Sequence, residues 1–529
     1  MYVHVYTYCI STRTRTVIVA VCSFYTRTFY CYKTETSHVT VIYILITISE
    51  MAESTKRKVQ YLAGICASLT FMFTGATLAW PSPAIPKLSS GEAGVKITDE
   101  QISWVVSLHG LGALLGSYGG QLLNERVGRR KTIFVSSAPG ILGAIMIFFS
   151  KMPVVMYLAR FLMGASTGVI AVVTMIYVTE IADKEIRGAL GMIIQVMNNF
   201  GCLIIYSVGP FVSYTFLNSI LITIPIIYVL ACLWIPESPY YHLKDGRIAA
   251  ARKEFRVLKG SKNEKWIDEQ FNVIRIHVQE NMESKSSVKE LLTNTKYRKA
   301  IYIVLGLKIL QYMTGILVIQ SYLEAIFTQS SSISGPLASI VYGFVQILAC
   351  IGATFLTRWI GRRILMFVSC LGVSLSMTLV GLYFYLKDVV KVQPETLASL
   401  FPVPLIGIIG FNILYANGLG NLPYVMQVEL FPVNVKAVAS SLATMLACVF
   451  SFVVTKFYQV VKDSFGHYSV FWSFAFVGYA GLFFVYFCVP ETKDKTLEEV
   501  QDNMEKRSPE ERALRERNID ECDHREEAK

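Results

Sequence analysis

A single long polar interval divides this chain into two similar apolar parts. Residues 236–298 are rich in charged side chains and form the only long charged interval between Met51 and Pro490. Six long apolar segments precede the interval and six follow it. Each segment is long enough to cross a bilayer, since about 20 residues of helix span its hydrocarbon core. This plan predicts an all-α membrane protein with two bundles of six transmembrane helices.

The composition favours a membrane protein over a soluble one. Charged residues make up 16% of the chain and hydrophobic residues 53%, whereas soluble domains have about 25% charged residues. A net charge of +11 is also found in proteins that bind nucleic acid. Here, however, the basic residues stand mostly in short loops between apolar segments, where they fix membrane orientation. We therefore expect a lipid bilayer as partner and no nucleic acid.

The apolar segments and the charged interval define the predicted domains. The first six spans are expected at residues 59–80, 101–123, 132–150, 153–179, 189–212 and 217–235. The second six are expected at residues 300–328, 335–357, 364–386, 401–428, 435–459 and 468–489. The predicted parts are an N-terminal extension with a cytosolic tail (1–58), an N-terminal six-helix bundle (59–235), cytoplasmic linker helices (236–299), a C-terminal six-helix bundle (300–489) and a cytosolic tail (490–529). The basic loops place both termini in the cytoplasm, and we expect a multi-pass protein of the plasma membrane.

The first fifty residues differ in composition from the rest of the chain. They are rich in Thr, Tyr, Val and Ile, and their apolar piece at 39–48 is too short to span a bilayer. Met51 precedes a basic stretch and the first span, as an ordinary cytosolic start does. We predict that the working protein begins at Met51, with residues 1–50 either a gene-model extension or a disordered tail.

Span 2 carries Gly112, Gly116 and Gly120 at helical spacing. Small residues on one face let two membrane helices approach closely. A dinucleotide-binding loop would instead need a preceding strand and water around the phosphates, and this segment offers neither. We expect the glycines to serve packing. We expect the lone His109 on this span to be hydrogen-bonded or to face a pore rather than to carry a proton.

The loop after span 2 concentrates charge between two apolar segments. It contains Glu125, Arg126, Arg129 and Arg130. Such a loop anchors a cytoplasmic orientation, and it also acts as a gate if its ion pairs differ between two conformations. The loop after span 8, Arg358–Arg363, repeats the pattern with arginine in the acidic position. Repetition at equivalent places in both halves is typical of transporters built from internal repeats.

Several motifs resemble those of the sugar porter family of the major facilitator superfamily. They are the loop 119–131, Tyr177-Val-Thr-Glu180 with Arg187-Gly188, Pro236-Glu237-Ser238-Pro239, Gln311–Tyr322, the loop 358–363, Gly418–Pro432 and Pro490-Glu491-Thr492. They occur in the family's order and between the expected spans, over residues 59–500. The resemblance extends to the facilitated trehalose and glucose transporters of animals. It implies a two-bundle fold and transport by alternating access, in which the bundles rock about a central site.

The same resemblance implies a set of substrate-binding residues. On span 5, Gln195, Asn198 and Asn199 share one polar side of the helix, and the family keeps a sugar-binding glutamine at the first of these positions. The expected substrate site comprises Gln195, Asn199, Gln311, Tyr322, Gln346 and Tyr424.

The chain also departs from the family near this site. Tyr312, Leu317, Ala447 and Cys448 stand where a glutamine, an asparagine and an Asn-Trp pair are usual. The changes at Tyr312, Leu317 and Ala447 remove amide groups that would pair with sugar hydroxyls. Lys308, inside the apolar run of span 7, has no role that the sequence indicates.

The resemblance further implies a network of charged residues that closes the cytoplasmic side in the outward-open state. Its expected members are Glu125, Arg126, Arg129, Arg130, Arg160, Glu180, Arg187, Arg362, Arg363 and Glu429. Arg160 is included because a buried arginine in a span is usually paired or functional. Because arginine replaces the acid at Arg358, the second half cannot copy the gate of the first.

These residues favour the transport of a neutral sugar, a hexose or trehalose, which is best bound by amides, phenols and an aromatic face. Proton-coupled relatives need a titratable acid, typically in span 1, and residues 59–80 contain no Asp or Glu. We therefore predict facilitated transport, with proton-coupled symport and a sugar sensor with little flux as alternatives. We expect no enzyme activity, no cofactor and no metal, and one copy is expected to suffice for transport.

Overall fold

The structure is a computed structural model that describes residues 57–260, 264–283, 291, 293–330, 334–400, 402–431 and 433–493. The predictions for residues 1–50 and for the tail beyond Lys493 lie outside the described residues. The described part of the chain is built from helices and contains no strand. The helices form the twelve spans expected from the sequence.

Ten of the spans are single helices and two are broken. Spans 1 to 6 are Lys58–Ala79, Asp99–Arg126, Arg129–Phe149, Pro153–Ile181, Lys184–Val208 and Tyr214–Cys232, and Pro81–Ser90 extends span 1. Spans 8, 9, 11 and 12 are Gly335–Trp359, Arg362–Tyr385, Val433–Phe465 and His467–Cys488. Span 7 consists of Thr295–Met313 and Ile316–Ser330, and span 10 of Pro402–Asn417 and Leu422–Glu429. Among the described residues, 11 stretches are long and apolar enough to cross a membrane. Span 2 is the more polar twelfth, since Ser, Gly and His residues interrupt its apolar stretch.

The two halves of the protein pack in the same way. Span 2 packs along span 4 and span 3 along span 6, while span 8 packs along span 10 and span 9 along span 12. The halves meet where span 2 lies against span 11 and span 5 against span 8. This arrangement is the internal repeat that the two arginine-rich loops predict.

Glycines allow spans 2 and 4 to approach closely. A Cβ atom at Gly112 would lie 2.0 Å from the carbonyl oxygen of Phe161, and Gly116 is equally enclosed by span 4. Any larger side chain would push the helices apart, so the packing role predicted for these glycines is confirmed. His109 is buried in the same contact, and its Nε2 lies 3.3 Å from the hydroxyl of Thr167. It is therefore a hydrogen-bonded packing residue.

Spans 7 and 10 are interrupted near their middles. Span 7 breaks at Gly315, whose φ of 89° lies in the left-handed region. A Cβ atom there would also lie 2.3 Å from the ring of Phe474, so both the backbone and the space require glycine. Span 10 is interrupted at residues 418–421, which include two glycines. Such breaks free backbone carbonyls inside the membrane, where they must find protein partners or line a cavity.

Between the two halves, the described residues include helices at Pro239–Lys244, Ile248–Lys259 and Glu264–Glu283. Their apolar sides share a small core of Leu243, Ala251, Phe255, Ile267, Phe271 and Val278. Lys259 forms an ion pair with Asp183, immediately before span 5. The amide of Gln60 in span 1 donates to the same carboxylate at 3.3 Å. One aspartate thus ties the connecting helices to the N-terminal half.

The two ends of the spans are held together differently. We call the end that carries the helices at 239–283 the linker end, and the opposite end the far end. At the far end, Lys456 of span 11 donates to the hydroxyl of Ser103 in span 2 at 2.8 Å and lies 3.9 Å from the ring centroid of Trp104. One turn further out, Nε2 of Gln459 donates to Asp99 at 3.3 Å. These bonds join the two halves directly.

Candidate substrate site

A buried cluster forms where the breaks of spans 7 and 10 meet. Gln311 stands one turn before the first break and is 2% exposed. Its Nε2 donates to the carbonyl oxygen of Gly420 in the second break at 2.9 Å. Its Oε1 accepts from the ammonium of Lys308 at 3.0 Å, and that ammonium lies 3.6 Å from the ring centroid of Tyr424. The structure thus brings Gln311 and Tyr424 together through a residue that had no predicted role.

Phenol groups complete this cluster. The hydroxyls of Tyr312 and Tyr424 lie 3.1 Å apart and share a hydrogen bond. The hydroxyl of Tyr415 donates to the backbone oxygen of Gln311 at 3.0 Å. Tyr312 therefore replaces a family glutamine with a hydroxyl that orients Tyr424, and Tyr424 remains 43% exposed. The cluster offers hydroxyl groups and an aromatic face.

Asn199 and Gln346 meet across the two halves of the protein. The Asn199 amide lies 3.5 Å from the backbone oxygen of Gln346. Both side chains are buried, and Oε1 of Gln346 has no hydrogen-bond partner among the described residues. The buried hydroxyl of Tyr322 in span 7 is likewise without a partner there. Unpaired buried polar atoms are costly, and a ligand with hydroxyl groups would satisfy them.

Gln195 lies apart from these contacts. It is half-buried on span 5, four residues before Asn199, so the two share one side of the helix. It forms no hydrogen bond with another described residue. The structure therefore leaves its amide available, while its predicted contact with substrate stays a prediction.

At the linker end, the loop between spans 2 and 3 belongs to an N-terminal charge cluster of Arg129, Glu180, Glu237 and Ser238. The Arg129 guanidinium donates to both carboxylate oxygens of Glu180, at 2.8 and 2.9 Å, and is 2% exposed. Glu237 accepts from the backbone N–H groups of Arg129 and Arg130 at 2.9 and 3.0 Å, which caps the start of span 3. Ser238 donates to Glu180. These bonds all lie within one half.

The equivalent C-terminal charge cluster consists of Arg362, Glu429 and Glu491. Glu491 accepts from the backbone N–H groups of Arg362 and Arg363 at 2.9 and 3.1 Å, which caps the start of span 9. The Arg362 guanidinium reaches Glu429 only at 3.5 Å. Nε of Arg362 and Oε2 of Glu429 have no partners among the described residues. This cluster has the same plan as the first but looser pairing.

The structure corrects the grouping of Arg160 with these clusters. Its guanidinium donates to the backbone oxygens of Thr77 and Val105 at 2.9 and 3.1 Å and lies 5.2 Å from the ring centroid of Trp80. It stands in the second turn of span 4, whereas Glu180 stands in the last, roughly 30 Å away along the helix. Arg160 therefore joins the far ends of spans 1, 2 and 4.

Two further expected members of the charge network are arranged differently from the prediction. Arg187 is exposed and donates to the backbone oxygen of Ala182, while Arg129 takes the place beside Glu180. Glu125 and Arg126 are exposed at the end of span 2 and form no ion pair with a described residue. Their part in a gate stays a prediction.

The sequence assigned no role to several residues that make these contacts: Glu237, Ser238, Glu491, Asp183, Tyr415 and Lys308. For Glu237 and Glu491 a signal existed, because the similar motifs Pro-Glu-Ser and Pro-Glu-Thr end the two halves, at 236–238 and 490–492. Asp183 depends on partners far along the chain, Gln60 and Lys259, which no local spacing indicates. Lys308 lies one turn before Gln311, as the spacing shows, but its contact with Tyr424 joins two separate spans.

Comparison with known proteins agrees with the geometry. Residues 19–504 match the family described as sugar (and other) transporter. The facilitated trehalose transporter Tret1 of Bombyx mori is 33% identical over 447 residues, covering 84% of this chain and 86% of that protein. That of Polypedilum vanderplanki is 30% identical over 449 residues, covering 84% and 88%. The inward open conformation of the xylose transporter XylE from E. coli shares the fold, with a TM-score of 0.68 at 19% identity over 84% of this chain and 99% of that one.

Proposed function

Because this chain belongs to the sugar porter family of the major facilitator superfamily, we propose that it carries a hexose or trehalose across a membrane by facilitated transport. The two relatives described above are named as facilitated trehalose transporters. The observation that carries the proposal for the site is that two of the expected binding residues have buried polar atoms without a partner among the described residues, Oε1 of Gln346 and the hydroxyl of Tyr322. A neutral sugar supplies hydroxyl groups for both without burying a charge.

The proposed binding residues come from both halves of the protein. They are Gln195, Asn199, Gln311, Tyr322, Gln346 and Tyr424. Asn199 already bonds to the backbone of Gln346 across the halves, so a sugar bound beside them would contact both. One copy of the chain contains every part of this site, and a monomer is sufficient for the proposed transport.

Downhill transport fits the distribution of acidic groups. Span 1 contains no Asp or Glu. Among the described residues, the one buried acidic side chain is that of Glu324 in span 7, whose backbone N–H donates to the hydroxyl of Ser82 at 3.1 Å. Glu324 stands near the far end, three turns beyond Gln311, and it has no described bond to the proposed site. We expect Glu324→Gln to leave uptake insensitive to a proton gradient, as in the parent protein.

The orientation follows from the basic residues at the linker end. We propose that this end is cytoplasmic, that both termini are cytoplasmic and that the protein resides in the plasma membrane. The far end is joined by Lys456, Gln459 and their partners in span 2. The linker-end charge clusters bond within their own halves. We infer that the structure is an inward-open form and that the C-terminal cluster exchanges partners between the halves when the protein opens outward.

Transport by purified protein in liposomes tests this proposal. Initial uptake of labelled trehalose, glucose and fructose should exceed that of protein-free liposomes for at least one sugar. Gln346→Ala should raise the half-saturation concentration several-fold to about tenfold, since one buried amide contributes roughly 0.5–1.5 kcal/mol. The control is Gln393→Ala, an exposed glutamine between spans 9 and 10, which should change nothing. Sugar binding without uptake would support the sensor alternative and contradict the proposal.

A further inference from the structure

Lys308 is a buried cation in the middle of a membrane span. Its side chain is 0% exposed. Its ammonium donates to Oε1 of Gln311 and stacks on Tyr424, and no carboxylate lies within ion-pair distance among the described residues. A buried cation inside a span is costly and marks a functional site. A neutral sugar carries no charge to pair with an ammonium group, so the proposed transport does not by itself explain this lysine.

The contacts of Lys308 determine what Gln311 can do in this conformation. The oxygen of the Gln311 amide is held by Lys308 and its nitrogen by the carbonyl of Gly420. Both polar ends of the amide are therefore satisfied by the protein itself. Gln346 and Tyr322, by contrast, keep polar atoms without a described partner. Of these three proposed sugar-binding residues, Gln311 is the one whose polar atoms are already occupied.

We propose that Lys308 is a positioning residue that withdraws the Gln311 amide from the sugar when the linker end is open, and so promotes release there. This inference rests on the proposed function, in which Gln311 binds sugar. Lys308 donates to the amide oxygen and the Gly420 carbonyl accepts from the amide nitrogen. Together they occupy the two positions at which sugar hydroxyls would pair with Gln311. A sugar that reaches the site from the linker end must displace both.

The position of the cluster explains why the withdrawal depends on conformation. Lys308 and Gln311 lie on the first helix of span 7, before the break at Gly315. Gly420 lies in the break of span 10, and Tyr424 follows on its second helix. Two of the three contacts, Gln311 with Gly420 and Lys308 with Tyr424, therefore connect the two broken helices, whereas Lys308 and Gln311 share one helix. A shift of span 10 relative to span 7 during closure would separate Gly420 from Gln311 and Tyr424 from Lys308. Neither the amide nitrogen nor the ammonium would then keep its partner on span 10, and the amide would turn to the cavity.

The Tyr424 ring makes this arrangement tolerable for a buried charge. The ammonium lies on the ring face, where cation–π attraction offsets part of the lost hydration. Hydrogen bonding of the Tyr424 hydroxyl to Tyr312 keeps the ring in place. The tyrosine at position 312, where the family has a glutamine, therefore supports the lysine. The departure from the family at Tyr312 and the buried Lys308 are thus explained together.

Half-saturation constants measured separately from the two faces of the membrane test the proposal. The purified full-length protein is placed in liposomes, and an impermeant reagent silences one orientation. Lys308→Met removes the donor and keeps the chain length. We expect the linker-side half-saturation concentration to fall about tenfold, the value of one hydrogen bond to a charged donor. The far-side value should change less than about twofold, and the maximal net rate should fall because release slows.

Two further variants keep the test decisive. Lys151→Met, at an exposed lysine between spans 3 and 4, should leave both constants unchanged. Gln311→Ala should raise the far-side constant about tenfold and the linker-side constant less than about twofold, because the amide is offered to sugar only from the far side. That result does not depend on whether the Lys308 variant folds.

The outcomes separate this inference from the proposed function. The parent protein could transport sugar while Lys308→Met and Gln311→Ala each change the linker-side and far-side half-saturation constants equally. That result would overturn the inference but not the proposed function. So would a loss of folded protein with unchanged constants in the fraction that remains, since a purely structural lysine predicts that. No flux of any sugar by the folded parent protein would overturn the proposed function and the inference with it.

Discussion

The N-terminal and C-terminal charge clusters occupy equivalent places in the two halves but differ in how tightly they are paired. In the first, Arg129 is buried and binds both oxygens of Glu180. In the second, Arg362 is 22% exposed and makes one contact of 3.5 Å with Glu429. The caps provided by Glu237 and Glu491 are nearly identical. The repeat thus keeps the helix caps and varies the ion pair.

We infer from this difference in pairing that the two charge clusters have different roles. A bidentate pair between a buried guanidinium and a carboxylate holds its helices in one arrangement. A long, partly exposed contact contributes little and exchanges partners easily. We therefore regard the N-terminal cluster as a fixed brace of its half and the C-terminal cluster as the part that rearranges when the linker end closes.

The largest effect is expected from Glu180→Gln. This change leaves the buried Arg129 guanidinium without its carboxylate, which should destabilise the protein by about 3–5 kcal/mol. The thermal midpoint of the detergent-solubilised protein should fall sharply, and folded yield with it. A midpoint within error of the parent protein would show that the N-terminal cluster is not a brace.

The two caps provide a matched comparison. Glu237→Ala and Glu491→Ala each remove a carboxylate from two backbone N–H groups at a helix start. Each should cost about 1 kcal/mol. Thermal midpoints of the two variants should agree with each other and lie between those of Glu180→Gln and the parent protein. A large difference between them would break the equivalence of the two halves.

A smaller effect on stability is expected at the loose ion pair. Glu429→Gln should change stability by less than about 1 kcal/mol, because the pair is long and partly exposed. Its effect should appear in transport, as a slower return of the empty carrier. Exchange of labelled for unlabelled sugar, which bypasses the empty carrier, should stay near the parent rate while net uptake slows. If exchange and net uptake slowed equally, the C-terminal cluster would not act as a gate.

The smallest effect is expected at Arg358. This side chain is exposed, and it forms no ion pair with another described residue. Arg358→Ala should therefore change stability by less than about 0.5 kcal/mol and leave transport unaltered. An effect as large as that of Glu429→Gln would mean that the arginine-for-acid replacement created a contact used in another conformation.

The fold could be predicted from the sequence because it depends on local properties of the chain. Span length, the position of the charged interval and the repeated arginine-rich loops are each readable within a few residues. Even the breaks at Gly315 and Gly418–Asn421 coincide with glycines that the motifs contain. The bilayer narrows the outcome further, since it admits few structures besides helices.

The bonding pattern of the site could not be reached in the same way. Arg187 is nearer to Glu180 in sequence than Arg129 is, but Arg129 forms the ion pair because span 3 begins beside the end of span 4. Arg160 was predicted to belong to the charge network, but its position in span 4 places it at the far end, away from the two clusters. The role proposed for Lys308 depends on Gly420 and Tyr424, which lie beside Gln311 and Lys308 because spans 7 and 10 are neighbours. Each case turns on which helices are neighbours.

The most direct test of facilitated transport by alternating access is tracer counterflow in liposomes without a proton gradient. Vesicles loaded with unlabelled trehalose or glucose are diluted into a trace of the same labelled sugar. Label should accumulate transiently inside above its outside concentration, and a protonophore should not alter that overshoot. No overshoot beyond that of protein-free vesicles, or one that the protonophore abolishes, would contradict facilitated transport by this protein.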